Sequence, residues 1–578
     1  MDISSSPSPL SLTGARWTLT EARQTAAVRV RTGLSPASAT IFAARFGEEA
    51  DARLLHPSLD DLLPPSLMLN MDRAVQRLRR AIADRELIRI ITDYDVDGTT
   101  SSLILQAALR LAGHPPDRID YHIPHRFTEG YGFSVDAAQR ALEAGVGLII
   151  TADIGVRDHA AVRVAREGGA DVLVCDHHLP AGESVPPDAI VLCPPQEGCD
   201  YPNPSLAACG VSLKVAQALL EGHPRFKPML LSLIKLAAIG TVADMVPLIT
   251  RENRAIVTLG LAELNRGPHA PGLAALLEVS GLKGKTITAS DLGFRVGPRI
   301  NAAGRLAGAN LVVDLLHERD EVRAKAMAIE LNALNTERQG IQRRLTQLAL
   351  ASATEERGLF AVIGGTEEDG WHRGVVGIVA SRVKDQLGLP TAVFAVQGDR
   401  AVGSVRSITA IHAVDALESV RDLLVKFGGH AGAAGFTVPT DKLEELRARL
   451  HRYVAEHSTA EDRVVVRRAD VAINPEDLSE DLVDELDRLG PFGIGNPRPR
   501  LLLRGVRPAA VELRAQGRLL KASLPTGRGA PVELVWWEHP EHEQTFRSEA
   551  LDLLGHLQVN VFNGRRLLQL SLDDARKA

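Results

Sequence analysis

A chain of 578 residues with 45% apolar and 24% charged side chains is too long for one hydrophobic core and divides into roughly three or four domains. Its formal net charge of -6 excludes a globally basic nucleic-acid binder but leaves room for a local basic stripe. No apolar stretch reaches the ~18 residues of a membrane span, and the opening MDISSSPSPLSLTG has neither a basic n-region nor an apolar h-region, so a cytoplasmic protein with no membrane association is expected.

Residues 1–49 begin with a Ser/Pro-rich segment expected to be partly disordered, followed by SPASATIFAARFG, which has helical spacing. A second helix, MDRAVQRLRRAIADR, leads into a regular alternation. ELIRIIT, RIDYHIP, VGLIITAD and ADVLVCD have strand composition, and TTSSLILQAALRLAG, SVDAAQRALEAG and VRDHAAVRVAREGG between them have helical periodicity. Such alternation predicts a parallel sheet covered by helices, in a domain placed at 50–317. Residues 318–356 contain almost no breaker except Gly340 and predict one helix of ~55 Å bridging two domains. GLFAVIGG, VVGIVASRVKDQLG and PTAVFAV restart an α/β pattern over 357–459. From about 460 to 578 short strands with Gly/Pro punctuation predict a small β-barrel or sandwich.

Ligands of open parallel sheets bind beyond the carboxyl ends of the strands, and acids recur there. Asp93, Asp95 and Asp97 stand in ITDYDVDGTTSS (91–102), Asp153 closes LIITAD, Asp176 precedes His177 and His178 in CDHH, and Asp244 lies in IGTVADMVPL. Gly98 permits a sharp exit into the following helix. A single Asp after a strand is an ordinary turn residue or N-cap. Four or more carboxylates around an imidazole repel one another unless cations neutralise them. Such an oxygen-rich set favours Mn²⁺ or Mg²⁺ over zinc. Two ions about 4 Å apart, sharing a carboxylate, suit hydrolysis of a phosphoester or phosphoanhydride. Cys175, Cys193, Cys199 and Cys209 include no C-x-x-C pair and read as reduced, mostly buried thiols.

Phosphate contacts need donors. GPRINAAGRL offers Arg299, Asn301 and Arg305 as a clamp, the alternative being a surface arginine pair. GWHRGVVGIVAS sets His372, Arg373 and Gly374 before a helix N-terminus able to bind phosphate, and GSVRS adds Ser404, Arg406 and Ser407. In GGHAGAAGF the small residues, Gly429 among them, allow close backbone approach, with His430 as a polar contact. Neither this run nor GLKGKT completes a dinucleotide fingerprint or a Walker A loop, so no ATP-driven motor is indicated. Residues 495–530 hold eight basic side chains, Arg498, Arg500, Arg504, Arg507, Arg514, Arg518, Lys521 and Arg528, against the single acid Glu512. On a small barrel such a stripe fits single-stranded nucleic acid, the alternative being a solvated face. Trp536 and Trp537 are either base-stacking platforms or core and edge residues.

The runs DYDVDGTTS, TADIGV, DHH and GTVADMVPL, in this order and spacing, resemble the four motifs of the DHH phosphoesterase superfamily, and GGHAGAAGF resembles the signature of its companion DHHA1 domain. With HPSLDDLLPPSLMLNMDRAVQRL, GWHRGVVGIVASR and the long helix, the arrangement from about residue 50 onward is similar to the RecJ family of single-strand DNA exonucleases. The resemblance implies a DHH domain with a parallel-sheet core, joined by the long helix to a smaller α/β DHHA1 domain and followed by an all-β OB-like barrel. It implies that Asp97, Asp153, His177 and Asp244 hold one metal, and that Asp95 and Asp153, with Asp93, hold the second. Ile91 stands where related pyrophosphatases carry a histidine, which leaves the first metal's ligand set open. His178 would contact the scissile phosphate and Asp176 would orient His177. The implied activity is two-metal degradation of single-stranded DNA from 5' to 3' into 5'-mononucleotides, in repair and recombination. A monomer is implied, with a single-strand-binding protein and a repair helicase as partners. Rival readings are a small-substrate DHH phosphodiesterase (oligoribonuclease, cyclic-dinucleotide phosphodiesterase or pyrophosphatase) and a non-catalytic DHH-like replication factor, which should have lost these acids.

Overall fold

The β-branched runs that begin at Ile88 form a five-stranded parallel sheet in the order Ile119–His122, Ile88–Thr92, Leu148–Ala152, Asp171–Cys175, Ile190–Leu192. Alternate side chains of a strand point to opposite faces, and here both faces are covered. Ile88, Ile90, Leu148, Ile150 and Leu173 enter one apolar core, while Ile91, Ile149, Val172 and Val174 enter another. The computed structural model describes residues 10–21, 25–126, 128–180, 184–356, 358–527, 530–562 and 565–578. They fall into two compact units, one of Glu21–Asn335 with Ser479–Pro499, the other of Met1–Thr20, Thr336–Leu478 and Arg500–Ala578.

In the first unit the chain leaves Ile88–Thr92 toward one edge of the sheet and returns on the other side at Leu148–Ala152, which makes the gap between these two strands the topological switch point. Thr92 stands opposite Ala152, and Ala152 opposite Cys175. Asp93, Asp153 and Asp176 therefore leave the sheet at one level. Helix Val96–Leu111 packs on helices Ala208–Leu219 and Phe226–Ala243 at distances that only small residues allow. A Cβ on Gly240 would lie 2.4 Å from Thr100 Oγ1, and one on Gly98 would lie 2.3 Å from the Asp93 carbonyl oxygen. Gly98 lies inside the helix, so it serves close approach to Asp93 rather than a sharp exit from the turn.

Phe226–Ala243 is the one helix among the described residues long and apolar enough to cross a membrane, a candidate that inspection of apolar runs missed. Its Leu230, Leu233, Ile234 and Ala237 are buried in the core beside the sheet, and its end carries Asp244. Residues 479–499, which the sequence pattern assigns to the C-terminal domain, pack within this first unit. The buried Arg254 donates to the carbonyls of Leu54 (2.9 Å), Leu489 (3.1 Å) and Gly490 (2.6 Å). A cation drawn this far from water needs such a ring of acceptors.

The long helix predicted over 318–356 spans Glu321–Glu356, 36 residues. Beyond it lies a five-stranded sheet in the order Lys426–His430, Ala433–Pro439, Arg400–Arg406, Thr391–Gln397, Ala361–Thr366, with only the last pair parallel. Helix Glu480–Arg488 belongs to the first unit. The C-terminal region holds a seven-stranded sheet together with helix Glu543–Ser548, so it is not all-β as expected. Part of the N-terminal segment joins it. Arg16–Leu19 pairs in parallel with Val466–Ala469, and Trp17 donates its indole N–H to Asp574 at 2.9 Å. The expectation of disorder otherwise falls on residues 1–9 and 22–24, which lie outside the described residues.

Candidate metal centre and phosphate contacts

The acids reach the crevice from the ends of several elements. Asp95 caps helix Val96–Leu111 and Asp97 lies in its first turn, Asp153 and Asp176 follow neighbouring strands, and Asp244 caps the C-terminus of Phe226–Ala243. The ligand atoms of Asp97, His177 and Asp244 lie within 4.8 Å of one another, and those of Asp93, Asp95 and Asp153 form a second such group. Asp153 joins the two, with its Oδ1 3.2 Å from His177 Nε2. His177 Nε2 is 3.9 Å from Asp97 Oδ2, and its Nδ1 is 3.7 Å from Asp244 Oδ2. A further group brings Asp153, Asp176, His177 and His178 within the same span, so Asp153 stands next to both sets of candidate ligands. Ile91, buried within the sheet, supplies no donor.

The positions are held by backbone contacts at helix ends and by one left-handed residue. Asp95 is an N-cap, its Oδ1 accepting from the amides of Asp97 (2.8 Å) and Gly98 (3.1 Å). Both carboxylate oxygens of Asp97 accept from the first amides of helix Ala208–Leu219, Ala208 at 2.7 Å and Cys209 at 2.8 Å, where the helix dipole favours negative charge. Asp153 has φ 63°, a left-handed conformation that costs a non-glycine residue energy and is typical of functional sites. Asp244 sits at a helix C-terminus, where the dipole disfavours an anion.

The titration behaviour follows. Burial, reinforced by the charge of Asp95, pushes Asp93 up to about 8. Burial, reinforced by Asp97 and Asp95, pushes Asp244 up to about 9. Asp97 and Asp153 are raised as well, burial leading in both. His177 is lowered because burial outweighs the attraction of Asp97, and its buried Nε2 has no hydrogen-bond partner among the described residues. Carboxylates that resist ionisation, gathered around a neutral imidazole with an orphaned nitrogen, fit a pair of hard divalent cations. Asp97, His177, Asp244 and Asp153 would hold one, and Asp93, Asp95 and Asp153 the other.

Asp176 acts differently from the sequence expectation. Its Oδ1 accepts from His178 Nδ1 at 2.8 Å and from the amides of His177 (2.7 Å) and His178 (3.1 Å), and its Oδ2 accepts from the Val156 amide at 3.0 Å. It therefore orients the ring of His178, while the ring of His177 faces Asp97, Asp153 and Asp244. Burial opposes charge on His178, but the hydrogen bond and charge of Asp176 outweigh it and raise the imidazole's pKa. Two residues in HRFTEGYG escaped the sequence reading. The Tyr131 hydroxyl lies 3.4 Å from the Asp153 carbonyl oxygen, with its ring edge-on to His178 at 6.4 Å. The Arg126 guanidinium lies 5.1 Å over the ring of Tyr94. An aromatic and a cation in a Gly-punctuated βα loop were the available signal.

Arg299, Asn301 and Arg305 lie on helix Gly297–Leu306, which is wedged beside the centre. A Cβ on Gly304 would lie 2.7 Å from the Tyr94 carbonyl oxygen, and one on Gly297 3.5 Å from Ala243 Cβ. Arg299 already donates through Nε to Asn332 (3.0 Å) and through Nη1 to the Arg295 carbonyl (2.7 Å), so only part of its fork can grip a ligand.

In the second unit Arg406 Nη1 donates to Ser404 Oγ at 2.6 Å. A Cβ on Gly377, in the first turn of helix Val376–Leu387, would lie 3.1 Å from Arg406 Nη2 and 3.3 Å from Ser404 Oγ. Gly377 carries no distinguishing signal in the sequence. Arg406 stands opposite Ala433, which stands opposite His430, so the three share one rung. Gly429, at φ 154°, would place a Cβ 2.3 Å from the Ala433 carbonyl oxygen, so strand contact alone requires glycine there. Ser407 turns away and donates to the Ile411 carbonyl at 2.6 Å. His372 Nδ1 accepts from the Gly374 amide at 3.1 Å, and Arg373 Nη1 lies 3.4 Å from Gln397 Oε1.

Family models for the DHH family N-terminal domain, the DHHA1 domain and the RecJ OB domain match residues 87–241, 355–456 and 469–574. The single-stranded-DNA-specific exonuclease RecJ of Bacillus subtilis is 35% identical over 549 residues, covering 94% of this chain and 68% of that protein. The Escherichia coli protein of the same name is 34% identical over 552 residues, covering 90% of this chain and 93% of that protein. The chain belongs to the RecJ family. The crystal structure of RecJ from Thermus thermophilus in complex with Mn²⁺ matches 97% of this chain and 80% of that one, with a TM-score of 0.82 and 31% identity. The complex with Mg²⁺ covers 97% and 78%, with a TM-score of 0.76 and 29% identity. The expected order of DHH, DHHA1 and OB modules is thus the RecJ order.

Within the region matched by the RecJ OB model the basic stripe is largely paired. Arg500 bonds Asp573 (2.6 Å) and Arg514 bonds Glu512 (2.7 Å), while Arg518 bonds Glu538 and Lys521 bonds Glu533. Arg498, which falls in the first unit, bonds Asp487 at 3.2 Å. The acids that neutralise the stripe come mostly from outside residues 495–530, which a window count does not see. Arg504 and Arg507 are exposed with no acidic partner among the described residues, and Arg528 lies outside them. Trp536 is buried and Trp537 is half exposed.

Proposed function

We propose that this member of the RecJ family is a divalent-cation-dependent exonuclease that degrades single-stranded DNA from the 5' end to 5'-mononucleotides, in repair and recombination. The observation that carries the reading is the double ligand group of Asp97, His177 and Asp244 with Asp93, Asp95 and Asp153, joined through Asp153. A pair of Mn²⁺ or Mg²⁺ ions bound there supplies the Lewis acidity that phosphodiester hydrolysis needs. The protein's own part is positioning. His178, oriented by Asp176 whose charge favours the protonated imidazole, contacts the scissile phosphate, while Arg299, Asn301 and Arg305 steady the strand. His372, Arg373, Gly374, Ser404 and Arg406 form the corresponding phosphate contacts of the DHHA1 domain, with His430 at the strand edge. Arg504 and Arg507 track the backbone on the OB domain. The enzyme acts as a cytoplasmic monomer, with a single-strand-binding protein and a repair helicase as partners by family analogy.

The deciding assay digests 5'- and 3'-labelled single strands and duplexes with Mn²⁺, Mg²⁺ or a chelator. Mononucleotides released from the 5' end of single strands only in the presence of metal are expected, and digestion that survives chelation would sink the reading. A small-substrate phosphodiesterase would instead cleave dinucleotides as readily as long strands. Asp176→Asn is expected to lower kcat/KM about 10-fold and to move the alkaline limb of the pH–rate profile to lower pH, because His178 loses the anion that raises its pKa. Arg504→Ala with Arg507→Ala is expected to weaken binding to long strands and to reduce the salt slope by about 0.7 for each phosphate no longer neutralised. Dinucleotide hydrolysis should be unchanged, and an unaltered slope would remove these residues from the interface.

A further inference from the structure

The loop after strand Val532–Trp537 reads EHPEH (538–542) and gathers three metal-binding side chains that the exonuclease reading leaves unused. His539 Nδ1 lies 3.1 Å from Glu541 Oε1, and His542 Nε2 lies 3.4 Å from the same oxygen. The ligand atoms of all three residues lie within 4.8 Å of one another. Nitrogen and oxygen donors around a tetrahedral zinc ion lie roughly 3.3–3.6 Å apart, given bond lengths of about 2.0–2.2 Å. The two spacings to Glu541 lie close to that range, and the imidazole nitrogens, within 4.8 Å of each other, need only a small approach to complete it.

The donors are held from behind as well. The buried ring of Trp536 lies 4.5 Å from that of His539 and 5.1 Å from that of His542, and the two imidazoles are near parallel at 5.9 Å. Pro540 opens the single turn Pro540–His542 that sets the spacing and restricts its backbone. Glu538, the other acid of the loop, is taken by Arg518, so the ion-pair partners of Glu541 among the described residues are the two imidazoles. Glu541 is half exposed, so an ion reaches the cluster from solvent. Two imidazoles and one carboxylate form a softer donor set than the oxygen-dominated DHH centre, and suit Zn²⁺ with a fourth position left for water rather than Mn²⁺ or Mg²⁺.

We propose that His539, Glu541 and His542 form a zinc-type metal site on the OB domain, chemically distinct from the cation pair of the DHH centre. An ion there pins the connection between strand Val532–Trp537 and helix Glu543–Ser548 and stabilises the domain in proportion to its occupancy.

The test uses the full-length chain equilibrated with Zn²⁺ in saturating Mg²⁺, with bound zinc measured by elemental analysis after dialysis. The parent chain is expected to hold one more zinc equivalent than His539→Ala, His542→Ala or Glu541→Gln, and to show a zinc-dependent rise in melting temperature that each variant loses. Exonuclease activity in Mn²⁺ should be unchanged in all three. Glu541→Gln keeps shape at a partly exposed position, so it tests the site even if loss of an imidazole from Trp536 disturbs folding. Zinc content and melting shift equal to those of the parent in Glu541→Gln and His542→Ala would overturn the proposal.

Discussion

Asp153→Asn is expected to lower the exonuclease kcat by more than about 1,000-fold, the scale of losing a dominant electrostatic contribution, and in the presence of chelator to raise the melting temperature above that of the parent chain. Both effects have one cause. Asp153 lies beside both ligand groups, so its carboxylate would serve both cations. It is buried and surrounded by Asp95, Asp97, Asp93 and Asp244, each of which makes its ionisation less favourable. Asparagine removes that charge, retains the polar outline, and tolerates the left-handed φ of 63° better than other residues apart from glycine. Without metal the substitution relieves repulsion. With Mn²⁺ the order reverses, because ligand binding stabilises only a native state that can bind. Kinetics on labelled single strands and paired thermal scans with chelator or Mn²⁺ measure both effects. A variant with kcat within about 10-fold of the parent, or one less stable than the parent in chelator, would contradict the shared-ligand role.

In chelator, the first unit is expected to lose stability steadily as pH rises from about 4 toward 9, and Mn²⁺ is expected to flatten that slope. The sign follows from proton counting. Asp93 and Asp244 are raised from 3.8 to about 8 and about 9, so between those limits the native state holds protons that the unfolded chain has released. Unfolding then releases protons and becomes easier as pH rises. Each excess proton contributes about 1.4 kcal/mol per pH unit. His178, also raised, acts in the same direction above 6.5. His177, lowered by burial, acts oppositely near and below 6.5, one group against the several carboxylates. Asp176 is lowered below 3.8, so its contribution is lost only at more acidic pH. Melting temperatures at about pH 5 and pH 8.5, with and without Mn²⁺, decide the matter. A metal-free chain whose stability is level or rises across that interval would show that the carboxylates ionise without cations.

Much of the centre is legible in the order of residues along the chain. Asp93, Asp95 and Asp97 follow a β-branched strand at two-residue spacing, and Asp153 and His177 follow the next strands, so sheet topology alone directs them to one edge. The long helix is legible for the same reason, since its periodicity is unbroken except at Gly340. What escaped depends on contacts between residues far apart in the chain. Nothing in the local pattern of Asp97 announces the amides of Ala208 and Cys209. The side chain of Asp176 had two adjacent histidines to choose between, and backbone direction gave it to His178. The basic stripe was a count over a window, and the acids that pair with Arg500, Arg518 and Lys521 lie at 573, 538 and 533.

The sequence by itself determined the α/β alternation, the family and the acid-rich character of the strand-end crevice, because periodicity and unusual charge density are local properties. Only the tertiary structure decided that Asp176 orients His178, that Ser479–Pro499 packs with the DHH unit around Arg254, and that Arg16–Leu19 adds a strand beside Val466–Ala469. The last two depend on which distant segments packing brings together, and the first on the local backbone direction, and no spacing rule along the chain encodes either.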